Sequence, residues 1–325
     1  MIDPNPTLTV VTSKTFSFKV QLKPQLIKMK ARPGIELNFA MSFKPALDYP
    51  LDVYFLMDVS GTMRGKIADL RAQANKIYDD LSAYTNNVRL GIGSIGSFVD
   101  KPSQVTQPTY PYFVPNRHEG HAFKNEVPLT NDMEKFMSKI DNINFGSNFD
   151  EPEAGLDALM QAMICAKEVG WRLEARRIIV LCTRDRKIIS AIKPNDMKCH
   201  LENNTYSEAL TYDYPSVSQI NRAVSDGNFG IIFAVTNNTI DEYKELADQI
   251  DGAKHAQLVD EESVINIIKT VYEEQANSAE MKYQAPPFVE VNIHQSCKSN
   301  PKINCQSPHK QAVNIPATLK VKSCP

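Results

Sequence analysis

The chain has 325 residues, 42% of them hydrophobic, and its 36 basic and 38 acidic side chains leave a formal net charge of −2. That length allows one large domain and a smaller one, while the near-neutral balance, with no long basic block, argues against nucleic-acid binding. No apolar run approaches the roughly 18 residues of a membrane helix. The opening MIDPNPTLTVV lacks the basic start and apolar core of a signal peptide, so the expectation is a soluble chain, compatible with a piece cut from a secreted or membrane-anchored protein.

Residues 7–43 alternate in short runs, Thr15–Val20, Gln25–Met29 and Glu36–Phe43, broken by Pro24 and by the turn Arg32-Pro33-Gly34. This is β-structure without helical period. From about Tyr49 the pattern changes. Leu51–Met57 reads as a buried strand, and a helix follows from near Arg64 with a one-face stripe at Ile67, Leu70, Ala74, Ile77, Leu81 and Tyr84. Val88–Ile95 is a second strand. Residues 100–128, rich in Pro and Tyr, read as one long irregular loop, with His118 and His121 facing solvent; loops of that length are usually functional. Helices are predicted over 131–141 and 154–168, then a strand over 177–183 and an irregular stretch over 190–214. A helix at 216–226, a strand at Phe229–Val235, a helix at 239–250, a short strand at 256–259 and a helix over 261–282 complete the series. Strands alternating with helices mean a parallel or mostly parallel sheet covered on both faces. After Pro286-Pro287 β character returns at Val289–Ile293 and Ala317–Val321. The predicted fold class is α/β, a Rossmann-like doubly wound, mostly parallel sheet inserted into a β-sandwich, and the expected divisions are 1–49, 50–284 and 285–325.

Six cysteines, at 165, 182, 199, 297, 305 and 324, form no C-x-x-C pair, which disfavours structural zinc. Cys297 and Cys305 bracket a short polar loop, and Cys165 and Cys199 flank a strand and a loop; either pair could close as a disulfide. Cys182, inside an apolar run, reads as a buried free thiol, and Cys324 is left without a partner. The pattern suggests an oxidising compartment and a truncated chain. N-x-S/T triplets at Asn203 and Asn237 agree with a secreted context.

The stretch FLMDVSGTM, residues 55–63, carries the strongest chemical signal. Asp58 ends the apolar strand, and Ser60 and Thr62 follow at alternate positions in the turn. In an open α/β sheet the carboxyl ends of strands are where ligands bind. One carboxylate and two hydroxyls pointing one way make a hard-oxygen half-shell suited to Mg²⁺ or Mn²⁺. The alternative is ordinary turn and capping chemistry. A second cluster, GSNFDEPE over 146–153, places Asn148, Asp150, Glu151 and Glu153 just before a helix, and Asp100 lies beyond the end of Val88–Ile95. Dipole complementation at the helix start accounts for one or two of these acids, less easily for four oxygen side chains around a proline. Two oxygen-rich groups at one sheet edge imply at least one cation.

Over nearly its whole length the chain resembles the integrin β subunit, in YPLDVYFLMDVS, RLGIGSIGSFVDKP, the acidic cluster with GLDALMQAMICAKEVGWR, PNDMKCH, YDYPS and IIFAVT. The resemblance implies a hybrid domain carrying an inserted I-like, von Willebrand A-type domain. It implies an adhesion receptor on the extracellular side of the plasma membrane, membrane-anchored at full length and paired noncovalently with an α subunit. Its ligand would be a matrix or cell-surface protein offering an Asp or Glu. Carried over, the Mg²⁺ (or Mn²⁺) adhesion site would use Asp58, Ser60, Thr62 and Glu153. A neighbouring Ca²⁺ site would use Asp100, Asn148, Asp150, Glu153 and the backbone oxygen of Pro152. The resemblance also implies Cys165–Cys199 and Cys297–Cys305 disulfides, with the partner of Cys324 beyond this chain.

Departures from the family pattern qualify this. Gly65 and Lys66 stand where the family usually has an acidic pair, so a third, regulatory cation site is expected to be missing. Arg184 stands where an Asp is usual, with Asp185 one residue later, and the loop over 101–128 has no cysteine. Three other readings follow: the same fold with a degenerate metal site, a Mg-dependent α/β enzyme, or a generic von Willebrand A-type module. The enzyme finds no support in a P-loop or a Ser/His/Asp set, and Gly91–Gly93 lies inside a strand.

Overall fold

The computed structural model describes residues 7–12, 21–44, 48–59, 63–95, 121–143, 154–183, 194–209, 211–237, 239–257, 261–277, 287–293, 298–300, 302–304 and 312–322. Contacts divide the chain into two compact units, Pro50–Tyr272 and Met1–Tyr49 with Glu273–Pro325.

The second of these begins with β1 (Thr7–Thr12), β2 (Leu22–Lys23), β3 (Leu26–Lys30) and β4 (Glu36–Phe43), of which β1 and β3 pair antiparallel. Along β4 exposure alternates from Glu36 to Met41, as the period-2 pattern predicts for a strand buried on one face.

The larger unit opens with β5 (Leu51–Asp58), α1 (Arg64–Ser82), β6 (Val88–Ile95) and β7 (Lys124–Thr130). It continues through α2 (Met133–Ile140), α3 (Gly155–Ile164), α4 (Ala166–Val169), β8 (Arg176–Thr183), β9 (Leu201–Glu202) and β10 (Thr205–Tyr206). Then come α5 (Val217–Gly227), β11 (Phe229–Val235), α6 (Ile240–Asp248), β12 (Ala253–Gln257) and α7 (Glu261–Asn277). The sheet order is β12-β11-β8-β5-β6-β7-β10-β9. From β12 to β6 the pairs are parallel, whereas β7, β10 and β9 add on antiparallel. Every residue of β5 and β11 is buried, which is why these strands are near-continuous apolar runs rather than alternating ones. The α1 stripe packs as predicted at Ile67, Leu70, Ala74, Ile77 and Leu81, all buried, but not at Tyr84, which lies past the helix end at Ser82 and is exposed. A capping box of Ser216 and Gln219 starts α5, and Asn228 in the left-handed region ends it.

Several sequence expectations are corrected, among them the short strand over 256–259, which begins three residues earlier as β12 at Ala253. The helix predicted over 154–168 is two, because the backbone leaves helical geometry at Cys165, which is bonded to Cys199; Gly170, at φ 87°, ends the second. The irregular stretch 100–128 gives way to β7 at Lys124, and Ala122 and Phe123 are already in the core. The irregular stretch 190–214 contains the β9–β10 hairpin, too short to leave a periodic signal.

Gly91 and Gly93 serve close packing. A Cβ on Gly93 would lie 2.6 Å from Cε2 of Phe123 and 2.7 Å from the hydroxyl of Tyr54, which donates to Asn125 Oδ1 at 2.7 Å. The β6–β7 register is irregular between Ile92 and Gly93, as expected where a strand glycine admits another side chain. Gly93→Ala should therefore overpack the core and cost about 1–3 kcal/mol, read as a lowered urea midpoint at unchanged slope.

After the larger unit come β13 (Val289–Ile293), β14 (Lys298–Asn300), β15 (Lys302–Asn304) and β16 (Val313–Val321). β16 lies between β13 and β4 in a sheet of order β13-β16-β4-β2, with Val313 opposite Phe43 and Lys320 opposite Glu36. Two neighbouring strands of one sheet thus flank the α/β unit in sequence, which makes that unit an insertion. β16 begins four residues before the predicted Ala317 because Pro316 reads as a strand breaker. It is tolerated where pairing with β13 has ended, since that pairing runs only from Ala317 to Val321.

Candidate metal centre

The parallel register brings the carboxyl ends of β5, β6 and β8 to one edge, with Asp58 opposite Ile95 and Met57 opposite Cys182. Asp58 and Ile95 are fully buried, and Thr183 is 1% exposed. The Thr183 hydroxyl donates to Asp58 Oδ2 across a long 3.4 Å, and the Val59 N–H donates to Ile95 O at 3.0 Å, fixing where the chain leaves β5. Burial, and then the Asp58 charge, push the Cys182 thiol up to about 12, with Lys66 opposing. Cys182 is therefore a neutral thiol at any physiological pH and free, as its apolar setting predicted. Lys66 lies in the first turn of α1, 4.0 Å from Asp69, and that turn holds no acidic residue.

Of the predicted ligands, Asp58 is described; Ser60, Thr62, Asp100, Asn148, Asp150, Pro152 and Glu153 lie outside the described residues, as do Arg184 and Asp185. What the structure does place is the framework on either side of them. β6 stops at Ile95, five positions before Asp100, and α3 starts two positions after Glu153. A Cβ on Gly155 would lie 3.8 Å from Cδ2 of Leu181, so the start of α3 packs beside the carboxyl end of β8. A buried carboxylate and a hydroxyl at this edge are hard-oxygen donors, a set that fits Mg²⁺ or Mn²⁺ and not a soft metal.

Sequence reasoning missed two groups. Thr183 ends an apolar strand in an oxygen-bearing residue, as Asp58 does, and that parallel was the available signal. The other is a polar cluster across β6 and β7. Ser94, fully buried, lies 2.6 Å from His121 Nε2 and donates to Glu126 Oε1 at 2.8 Å, while Lys124 Nζ pairs with Glu126 Oε2 at 2.9 Å. His121 is thus mostly buried, against the expectation that it faces solvent. With the single hydroxyl proton given to Glu126, Nε2–H donates to Ser94. The arrangement is no hydrolase triad: the carboxylate bonds the serine instead of orienting the histidine, and the hydroxyl is inaccessible. Among the described residues Cys165, Glu168 and Cys199 also lie within ligating distance of one another, but the disulfide occupies both sulfurs.

A mostly parallel α/β sheet whose central strand ends in a buried carboxylate is the architecture of a von Willebrand A-type domain. The family model for the integrin β chain von Willebrand A domain matches residues 46–279. Integrin beta-PS of Drosophila melanogaster is 35% identical over 324 residues, covering 94% of this chain and 38% of that protein. Integrin beta-6 of Ovis aries is 32% identical over 86% of this chain and 37% of its own length, and integrin beta-2 of Sus scrofa 31% over 93% and 41%. The chain belongs to the integrin β family. It spans about two fifths of the length of these relatives. Among solved structures, the pilus adhesin SpaC of Lactobacillus rhamnosus GG in its open conformation aligns over 89% of this chain and 41% of its own, with TM-score 0.39 and 12% identity, too slight a likeness to bear on function. Among the described residues no helix is long and apolar enough to cross a membrane.

Proposed function

We propose that the chain is the ligand-binding headpiece of an integrin β subunit, made of an I-like domain inserted in a hybrid domain. Its adhesion site takes an acidic side chain of a matrix or cell-surface ligand through Mg²⁺ or Mn²⁺. Asp58, Ser60, Thr62 and Glu153 would hold that ion, and Asp100, Asn148, Asp150, Glu153 and the Pro152 carbonyl a neighbouring Ca²⁺. Family membership supports noncovalent pairing with an α subunit. The observation that carries the reading is Asp58 itself, fully buried at the carboxyl end of a central parallel strand beside the Thr183 hydroxyl. A carboxylate withdrawn from water at a ligand-binding edge is stabilised by a cation that the ligand's own carboxylate can complete. The protein's part is to orient these oxygens and to exclude water from Asp58.

A second reading, in which the fold binds partners without a cation, is favoured by Lys66. It lines the same cavity as Met57 and Cys182, so a side-chain cation already stands near this sheet edge. Calorimetric titration of the chain with Mg²⁺ and Mn²⁺ separates the two. Under the metal reading, wild type gives saturable heat that Asp58→Ala loses. Equal traces for both proteins would favour the cation-free reading.

A further inference from the structure

We propose that Asn203 carries an N-linked glycan, at the outer edge of the large sheet. The triplet Asn203-Asn204-Thr205 is an acceptor sequence, and such sequences are used on exposed turns of secreted proteins. Here the fold supplies that turn. Asn203 and Asn204 are the two central residues of the β9–β10 hairpin, both left-handed at φ 48° and 65°, the geometry for which asparagine is among the preferred residues. Both are exposed, but they differ in what their side chains do. Asn204 faces β7: its Oδ1 lies 3.4 Å from Asn125 Nδ2, and its backbone oxygen accepts from the Asn125 N–H at 2.7 Å. The Asn203 amide makes no hydrogen bond among the described residues, so a sugar on its Nδ2 displaces no native contact. Thr205 keeps its hairpin pairing with Glu202 and its bridge to Lys124 whether or not the glycan is present. In the triplet at Asn237, the middle residue lies outside the described residues.

The modification is a glycosyl transfer from a lipid-linked oligosaccharide diphosphate. Asn203 Nδ2 loses a proton and bonds C1 of the first N-acetylglucosamine, while the C1–O bond to the lipid diphosphate breaks and that group leaves with the electron pair. The position has a consequence. Among the described residues β9 is the last strand of the sheet and pairs with β10 alone, and its two-residue length already keeps that edge short. A glycan at the hairpin tip shields that edge and directs protein partners to other faces of the unit.

The test is to express the chain through the secretory route of a eukaryotic cell, release N-glycans with an amidase in H₂¹⁸O, and map the peptides by mass. The expected result is conversion of Asn203 to ¹⁸O-labelled aspartate, with the intact mass reduced to the unglycosylated value at that site by Thr205→Ala and kept by Thr205→Ser. Asn203→Gln gives the same loss should Thr205→Ala fold poorly. Recovery of the Asn203 peptide unlabelled, with intact mass indifferent to these variants, overturns the proposal. The readout is independent of metal binding, so it stands or falls separately from the adhesion-site reading.

Discussion

Arg172→Met should destabilise the α/β unit by about 3–5 kcal/mol, the cost typical of leaving a buried charge without its partner. Asp52, fully buried near the start of β5, receives the Arg172 guanidinium through Nε at 2.9 Å and Nη2 at 2.6 Å, and the Arg172 backbone N–H at 3.0 Å. The same guanidinium donates to the backbone oxygens of Leu51 and Asn87 and to the Asn87 side chain. One side chain thus ties the turn before β8 to the entries of β5 and β6. Arg177, held below the ordinary arginine range by burial and pulled back up by Asp52, remains nearby but directs its Nε to the Arg172 backbone oxygen. Urea unfolding of the single variant and of Arg172→Met combined with Asp52→Leu is the measurement. The double variant should recover much of the loss, because it removes the stranded charge. A loss below about 1 kcal/mol in the single variant would mean that the pair behaves like a solvated surface bridge.

Acid should remove a separate, histidine-borne share of stability between about pH 6.5 and pH 4. Burial lowers the His121 imidazole to about 4, helped by Lys124 and opposed by Glu126. In the unfolded chain the same ring titrates near 6.5. Across that window the unfolded state binds a proton that the folded state does not, so stability falls as pH falls and is fully present above the unfolded value. The gap of about 2.5 units corresponds to roughly 3 kcal/mol. Wild type and His121→Gln should therefore differ in the slope of unfolding free energy against pH within this window and run parallel above pH 7. Superimposable slopes would mean that water reaches the ring and that the Ser94–His121 contact opens.

Helix periodicity and strand burial were legible wherever one local rule dominated. The α1 stripe, Val88–Ile95, Glu36–Phe43 and Phe229–Val235 fall where apolar spacing puts them, because a helix must bury one face and a doubly covered strand both. The placement of Asp58 at a strand's end was legible for the same reason, since the apolar run stops there. Less could be read where contacts come from far along the chain. The break at Cys165 depends on a bond to a residue 34 positions away. His121 looked like a loop residue because it closes a long stretch rich in Pro and Tyr without periodicity, whereas its partner, Ser94, lies 27 positions back on an adjacent strand.

The sequence by itself determined the alternation of strands and helices, the carboxylate that ends β5, and the family, since each is written in residue order and local spacing. Only the tertiary structure decided which oxygens stand beside Asp58, that Asp52 depends on Arg172 and Ser94 on His121, and that strands on either side of the α/β unit share one sheet. These are pairings between distant residues, chosen by sheet register and by the need to satisfy every polar group that folding removes from water, and neither has a signature in a single stretch of chain.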